Sequence, residues 1–275
     1  MLQKSATRRQ DLMAFGQSSF AGAGSARPIE GAVATMGVSD RVAFLRKTYA
    51  HLGVALIAFA AITGGMMRFA TQTSLKFSSW AFTGRWTWMM VLVLFMIVGY
   101  VAERLARSST SRGLQYLGLG IGVAAYAVLF QPMLWVLILK FGNPAAIRFT
   151  GEGMLTGQAA SILMQAIVIT LAIFVGLTLT VFLTKKDFSF MRGALAIGSF
   201  AALGVIAASM MFGFSLGALF SGAMILLMAG YILFQTSLVM REFPPTFHVA
   251  AALMLFSTIA TLFWYVLQLL ISLRE

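Results

Sequence analysis

Gly213-Phe214-Ser215-Leu216-Gly217 has the Gly-x-Ser-x-Gly spacing of a nucleophile elbow, the tight turn that presents a serine to its base in serine hydrolases. A serine nucleophile needs that base within hydrogen-bond reach, usually a histidine. The chain has two histidines, His51 and His248, and both fall at the opposite ends of their apolar runs from Ser215. About 30 Å of hydrocarbon would separate them from the serine, so the pentapeptide reads as a hairpin turn. Metal chemistry lacks a ligand set as well. The two histidines sit on different segments, the eight acids are scattered, and there is no His-x-x-x-His spacing and no cysteine. Gly118, Gly120 and Gly122 lie inside an apolar run, where small residues let helices approach closely rather than cradle a dinucleotide. The eighteen methionines have no other copper ligands beside them, and the last apolar run has no lysine to carry a retinal. No catalytic residue, metal site or cofactor is expected, and the chain is read as non-enzymatic.

Polar groups without charge do cluster. Gln235, Thr236 and Ser237 fall in one apolar run, and Ser257, Thr258, Thr261 and Gln268 in the next. Thr258 and Thr261 are three apart and share a helix face. Such groups can serve as interhelical hydrogen bonds, or together as a polar pathway between two helices. Ionisable residues, the usual sign of a transport route because they are costly in lipid, are missing from the deep parts of every proposed span.

The elements that must position these groups are membrane helices. Sixty per cent of residues are apolar and only 10% are charged, against about 25% in soluble proteins. Uncharged apolar runs of about 18 residues or more read as spans, and these are too long and uniform for the alternating strands of a barrel. The expected fold is all-α and polytopic, with a flexible basic tail over residues 1–44 and seven spans over 45–275. The spans are placed at about Leu45–Met67, Trp86–Val101, Leu114–Phe130, Ala159–Leu183, Gly193–Phe212, Leu216–Met240 and His248–Leu273. A polar loop is expected between the first two. The third should kink or end near Phe130, because Pro132 lacks a backbone donor, leaving Trp135–Leu139 at the interface. Trp86 and Trp88 are placed in an interfacial belt. Thr7-Arg8-Arg9-Gln10-Asp11-Leu12-Met13 has the look of a twin-arginine signal, but the Gly/Ser-rich stretch after it is no apolar core, so no cleavage is expected.

Orientation follows from the cations. With the N-terminus inside, the inner side carries fourteen, namely Lys4, Arg8, Arg9, Arg27, Arg41, Arg46, Lys47, Arg104, Arg107, Arg112, Lys185, Lys186, Arg192 and Arg241. The outer side carries six: Arg68, Lys76, Arg85, Lys140, Arg148 and Arg274. The tail is therefore expected in the cytoplasm and the C-terminus outside. The net charge of +12 is assigned to flanks facing anionic headgroups, with no nucleic-acid partner.

Three stretches together resemble the Bax inhibitor-1 family, in particular its bacterial YccA-like members. They are Phe44-Leu45-Arg46-Lys47-Thr48-Tyr49 leading into span 1; Thr184-Lys185-Lys186-Asp187-Phe188-Ser189-Phe190-Met191 after span 4, the most specific; and Gly230–Ser237 with Leu255–Phe263 in spans 6 and 7. The likeness runs from about Phe44 to the C-terminus. It implies a central span 7 wrapped by the other six, in a bacterial inner membrane. In some relatives an aspartate in span 6 and another in span 7 are associated with a pH-sensitive cation leak, mainly of calcium. Here the matching positions are Gln235 and Thr258, which neither titrate near neutral pH nor offer calcium an anionic oxygen. YccA-like relatives are associated instead with modulating a membrane-anchored AAA protease. The resemblance thus implies the lipid bilayer and such a protease as partners, with a cation leak or small-solute channel as the alternative.

Overall fold

The uncharged runs form helices whose lengths match a bilayer. In the computed structural model, which describes residues 37–143, 154–155 and 157–274, these are α1 (Val38–Phe69), α2 (Thr71–Ala81), α3 (Arg85–Ala106), α4 (Arg112–Phe141), α5 (Gly157–Thr184), α6 (Arg192–Phe212), α7 (Ala218–Arg241) and α8 (His248–Ser272). Short 3₁₀ turns at Ser189–Met191 and Pro245–Phe247 precede α6 and α8. All but α2 are long and apolar enough to cross a membrane, so the chain is an all-α, seven-span membrane protein. Most of the tail, the Thr7–Met13 stretch and nearly all of the Asn143–Glu152 loop lie outside the described residues.

The helix α8 is the axis of the bundle. Val249 to Phe256 and on through Ile259, Leu262, Val266 and Leu267 bury residues around its whole circumference, which marks a helix enclosed by others. It packs against α1, α3, α4, α5 and α7. The helix α6 stands outside this ring, against α7 and α3. In α8, 72% of the most apolar stretch is buried, against 6% in α6, so α6 turns almost all of its surface to lipid. Span 7 is central, as expected, but five helices rather than six enclose it closely.

Four local expectations change. The first helix begins at Val38, seven residues before Leu45, and Phe44 is already buried at 3% exposure. The stretch expected as a polar loop contains α2, whose Ser74, Ser78 and Ala81 recur at helical spacing and bury against α4. The helix α4 continues through Pro132 to Phe141. Membrane helices tolerate proline where neighbours surround the weakened turn, and α1, α2 and α8 all pack against α4. Trp135 is consequently a core residue at 2% exposure, not an interfacial one. Its indole N–H donates to Ser74 Oγ (2.8 Å), Ser74 Oγ donates to Gln131 Oε1 (2.7 Å), and Gln131 Nε2 donates to Ala127 O (2.9 Å). Trp86 is exposed, whereas Trp88 stacks on Trp264 of α8 with ring centroids 6.2 Å apart.

Close approach explains two of the three glycines Gly118, Gly120 and Gly122 of α4. A methyl group on Gly118 would come within 2.5 Å of Ala102 O and Ala106 N in the backbone of α3, and one on Gly122 within 2.6 Å of Leu253 Cδ1. Gly120 has nothing within 4 Å. Gly118→Ala should therefore force α3 off α4 at a cost of about 1–3 kcal/mol. Gly120→Ala should be neutral or stabilising, since alanine is the better helix former by about 1 kcal/mol. Thermal unfolding of the two variants in detergent separates these outcomes.

Candidate functional site

The polar residues Gln235, Thr236 and Ser237 of α7 and Ser257, Thr258 and Thr261 of α8 face different neighbours because successive helical positions point about 100° apart. Gln235 and Thr258 meet. Thr258 Oγ1 donates to Gln235 Oε1 at 2.7 Å, with both residues at least nine-tenths buried. This is the position at which the resemblance implied two acids, and it holds a neutral, paired contact. Thr261 points toward α4. Its hydroxyl donates to Ser257 O (2.8 Å), which leaves Tyr126 O–H to donate to Thr261 (3.1 Å). Ser257 returns its proton to Leu253 O (2.9 Å).

Thr236 faces the other way, into the space between α1 and α5. There its hydroxyl lies near those of Tyr49 and Thr178, and none of the three has a partner at hydrogen-bond geometry. Three such donors beside one another form a buried polar cluster in an apolar core. Tyr49 and Thr178 carried no sequence signal beyond being polar in a span; only the packing of α1 and of α5 against α7 brings them to Thr236.

Ser237 belongs to the loop. Its Oγ accepts the Phe188 backbone N–H at 3.2 Å, tying the Thr184–Phe190 segment to α7. The segment is held at three further points. Lys185 takes a left-handed conformation (φ 51°) that ends α5, and its carbonyl accepts from Arg241 Nη2 at 2.7 Å. Asp187 Oδ1 accepts the Ser189 N–H at 2.9 Å, capping the turn before α6, while Oδ2 lies 3.5 Å from Arg241 Nη1. Thr184 Oγ1 donates back to Thr180 O (2.7 Å), and Lys186 N approaches it at 3.5 Å. Phe190 is exposed. The Ser189 N–H, and then the Ser189 side chain and Arg241, hold the Asp187 carboxyl below the usual carboxylate range.

The remaining candidates fall at opposite ends. Gly213 adopts φ 80° and ends α6, Ser215 is exposed in the connection to α7, and Gln268 Nε2 donates to Leu216 O across it (3.3 Å). The pentapeptide is a turn. At the other end His51 and His248 stand with ring centroids 5.0 Å apart, and His51 Nε2 lies 3.0 Å from Tyr116 O–H. Among the described residues no three His, Cys, Asp or Glu side chains group as metal ligands.

The fold and this interior define a class: a seven-span helical membrane protein with a buried central helix whose polar groups are neutral. A family model described as "Inhibitor of apoptosis-promoting Bax1" matches residues 41–275, and the chain belongs to the Bax inhibitor-1 family. It is similar to "Bax inhibitor 1" of Schizosaccharomyces pombe, 27% identical over 243 residues that cover 86% of this chain and 79% of that protein. It is also similar to "Uncharacterized protein PA2604" of Pseudomonas aeruginosa, 24% identical over 191 residues, 66% of this chain and 83% of that one. No solved structure matches.

Two outcomes test this geometry. Thr258→Val strands a buried carbonyl oxygen and should cost about 1–3 kcal/mol. Gln235→Leu combined with Thr258→Val should recover most of that loss, and a double-mutant cycle on unfolding midpoints measures the coupling. Asp187, with its pKa lowered in the fold, contributes stability above its unfolded pKa that disappears as pH falls through the folded one. A fluorophore on Phe190→Cys, the sole thiol in such a chain, should therefore report an ordered loop at neutral pH. Its mobility should rise only below about pH 3.9, the ordinary aspartate value. In an Asp187→Ala background it should be mobile throughout.

Proposed function

We propose that this protein is a non-enzymatic regulator in a bacterial inner membrane, acting through contact with a membrane-anchored AAA protease in membrane-protein quality control or stress tolerance. Its N-terminus faces the cytoplasm and its C-terminus the outside. The observation that carries this reading is the 2.7 Å Thr258–Gln235 contact. A proton-gated calcium route through this point would need groups that titrate and offer anionic oxygens, and a hydroxyl on an amide does neither. The ordered loop from Thr184 to Phe190, held against α7 by Ser237 and Arg241, gives the same side of the bundle a shaped polar surface. The exposed apolar face of α6 offers contact within the membrane.

A second reading, a leak for cations or small solutes past Gln235, Thr258 and Thr261, has one observation in its favour. The unpartnered hydroxyls of Tyr49, Thr178 and Thr236 put further buried polar groups on the helix that carries Gln235 and on its neighbours α1 and α5. Affinity purification from native membranes should recover AAA protease subunits, and removing residues 1–40 should alter the turnover of the protease's substrates. In liposomes the purified protein should pass no calcium on either side of neutral pH, whereas Gln235→Asp with Thr258→Asp should open a pH-dependent flux. Calcium flux through the wild-type protein that Thr258→Leu abolishes, with no protease recovered, would establish the leak instead.

A further inference from the structure

Between α1, α4, α5 and α8 runs a cavity of about 700 Å³, within the roughly 300–1,000 Å³ range of ligand pockets. Its inner wall is aromatic, with Phe59, Phe130 and Phe263. Its opening lies between α1 and α5, where Ile57 and Leu171 are exposed to the bilayer. On α1 it extends from Gly53 to Arg68, about 22 Å at the helical rise per residue. A long apolar channel open sideways to lipid suits an acyl chain.

Two buried hydroxyls in its wall lack a hydrogen-bond partner, as do those of Thr48, Thr178 and Thr236 elsewhere in the bundle. A threonine inside a helix can donate to the carbonyl four residues back, as Thr180, Thr184 and Thr261 do. Thr63 and Thr170, 7% and 3% exposed, line the cavity with hydroxyls that have no partner. Thr63 lies about 7.5 Å along the axis from Arg68, whose exposed side chain stands at the end of the channel. Thr170 is deeper. The Tyr49 ring sits between Phe174 and Phe182, and this antiparallel register puts Thr170 level with about Ile57, some 9 Å below Thr63.

We propose that this channel binds one anionic glycerophospholipid from the leaflet on the Arg68 side. The Arg68 guanidinium takes the phosphate, a geometry arginine favours. The Thr63 hydroxyl donates to an acyl-ester carbonyl, which lies below the phosphate in such a lipid. One chain runs down the channel past Phe59 and Phe130 to Thr170. Because Gln131 Nε2 also donates to Thr63 O (3.4 Å), the lipid sits against the turn that anchors the Ser74–Gln131–Trp135 network. The proposal is independent of whether the protein regulates a protease or passes an ion.

Native mass spectrometry of the full chain, extracted from vesicles of mixed phosphatidylglycerol and phosphatidylethanolamine, tests it. The wild type should retain one phosphatidylglycerol, preferred by about tenfold, a difference of 1.4 kcal/mol. Arg68→Gln should bring that preference to about unity while a lipid is still retained, and Thr63→Val should lower occupancy severalfold. Thr170→Val should leave retention unchanged. Gly64→Leu, at a position where an added Cβ meets nothing within 4 Å, should fill the channel and abolish retention without moving the unfolding midpoint. Equal retention of both lipids by the wild type overturns the proposal. So does control by Thr170 rather than Arg68 and Thr63, or undiminished retention in a folded Gly64→Leu protein. Should Gly64→Leu not fold, the Arg68→Gln preference alone decides.

Discussion

Seating a helix at the centre of a membrane bundle is a different problem from burying one in a soluble core. Lipid tails are as apolar as leucine, so moving α8 from lipid into protein gains no hydrophobic energy; fit and a few hydrogen bonds must supply the difference. Fit comes from small residues, with Ala250, Ala251 and Ala252 on α8 and Gly122 of α4 receiving Leu253. The hydrogen bonds fall at three levels. Thr258 meets Gln235 of α7, Thr261 meets Tyr126 of α4, and Gln268 meets Leu216 O in the turn between α6 and α7. Three contacts on different neighbours fix both the rotation and the height of α8, and the other helices take their places around it.

The neutrality of the central contact has a consequence for the ends. With no charge to stabilise or gate inside, the electrostatic structure is confined to the two surfaces. On one side Arg241 draws the loop after α5 onto α7 through Lys185 O and Asp187, Arg192 pairs with Glu242, and the two histidines meet beside Tyr116. On the other, Arg85 reaches Met211 O and Arg274 reaches Gln165. Exposed pairs of this kind contribute roughly 0–1 kcal/mol each, so their effect is to shape surfaces more than to stabilise the bundle. The loop that is the clearest mark of the family is one such surface, and its shape depends on Ser237, a residue that reads from sequence as part of the interior.

Much of this was legible beforehand, and the failures have a common origin. Seven spans follow from uncharged length alone, and the turn at Gly213 from glycine where a left-handed conformation is needed. The helix α2 was hidden because serine and threonine favour loops by local propensity, whereas Ser74 is held by Gln131 and Trp135 of α4 and Ser78 bonds back to Ser74 O. Pro132 reads as a helix end, but enclosure on three sides keeps α4 intact. In each case local chemistry pointed one way and neighbours that are distant in sequence decided otherwise. The polar cluster of α7 and α8 was legible as a set of residues but not as an arrangement, since Thr236 and Ser237 differ from Gln235 only in helical angle.

The sequence by itself determined the class of protein, the number of crossings and the absence of Asp, Glu, Lys and Arg from the deep parts of the spans. These depend on composition and run length, which no packing can alter. Tertiary structure decided which polar groups meet. It paired Thr258 with Gln235, turned Thr236 toward Tyr49 and Thr178, gave Ser237 to the loop, and left Thr63 and Thr170 without partners in the wall of a cavity. A hydrogen bond requires two atoms within about 3 Å, and for residues on different helices that distance is set by helix rotation and register. Those quantities are properties of the assembled bundle, and no single helix contains them.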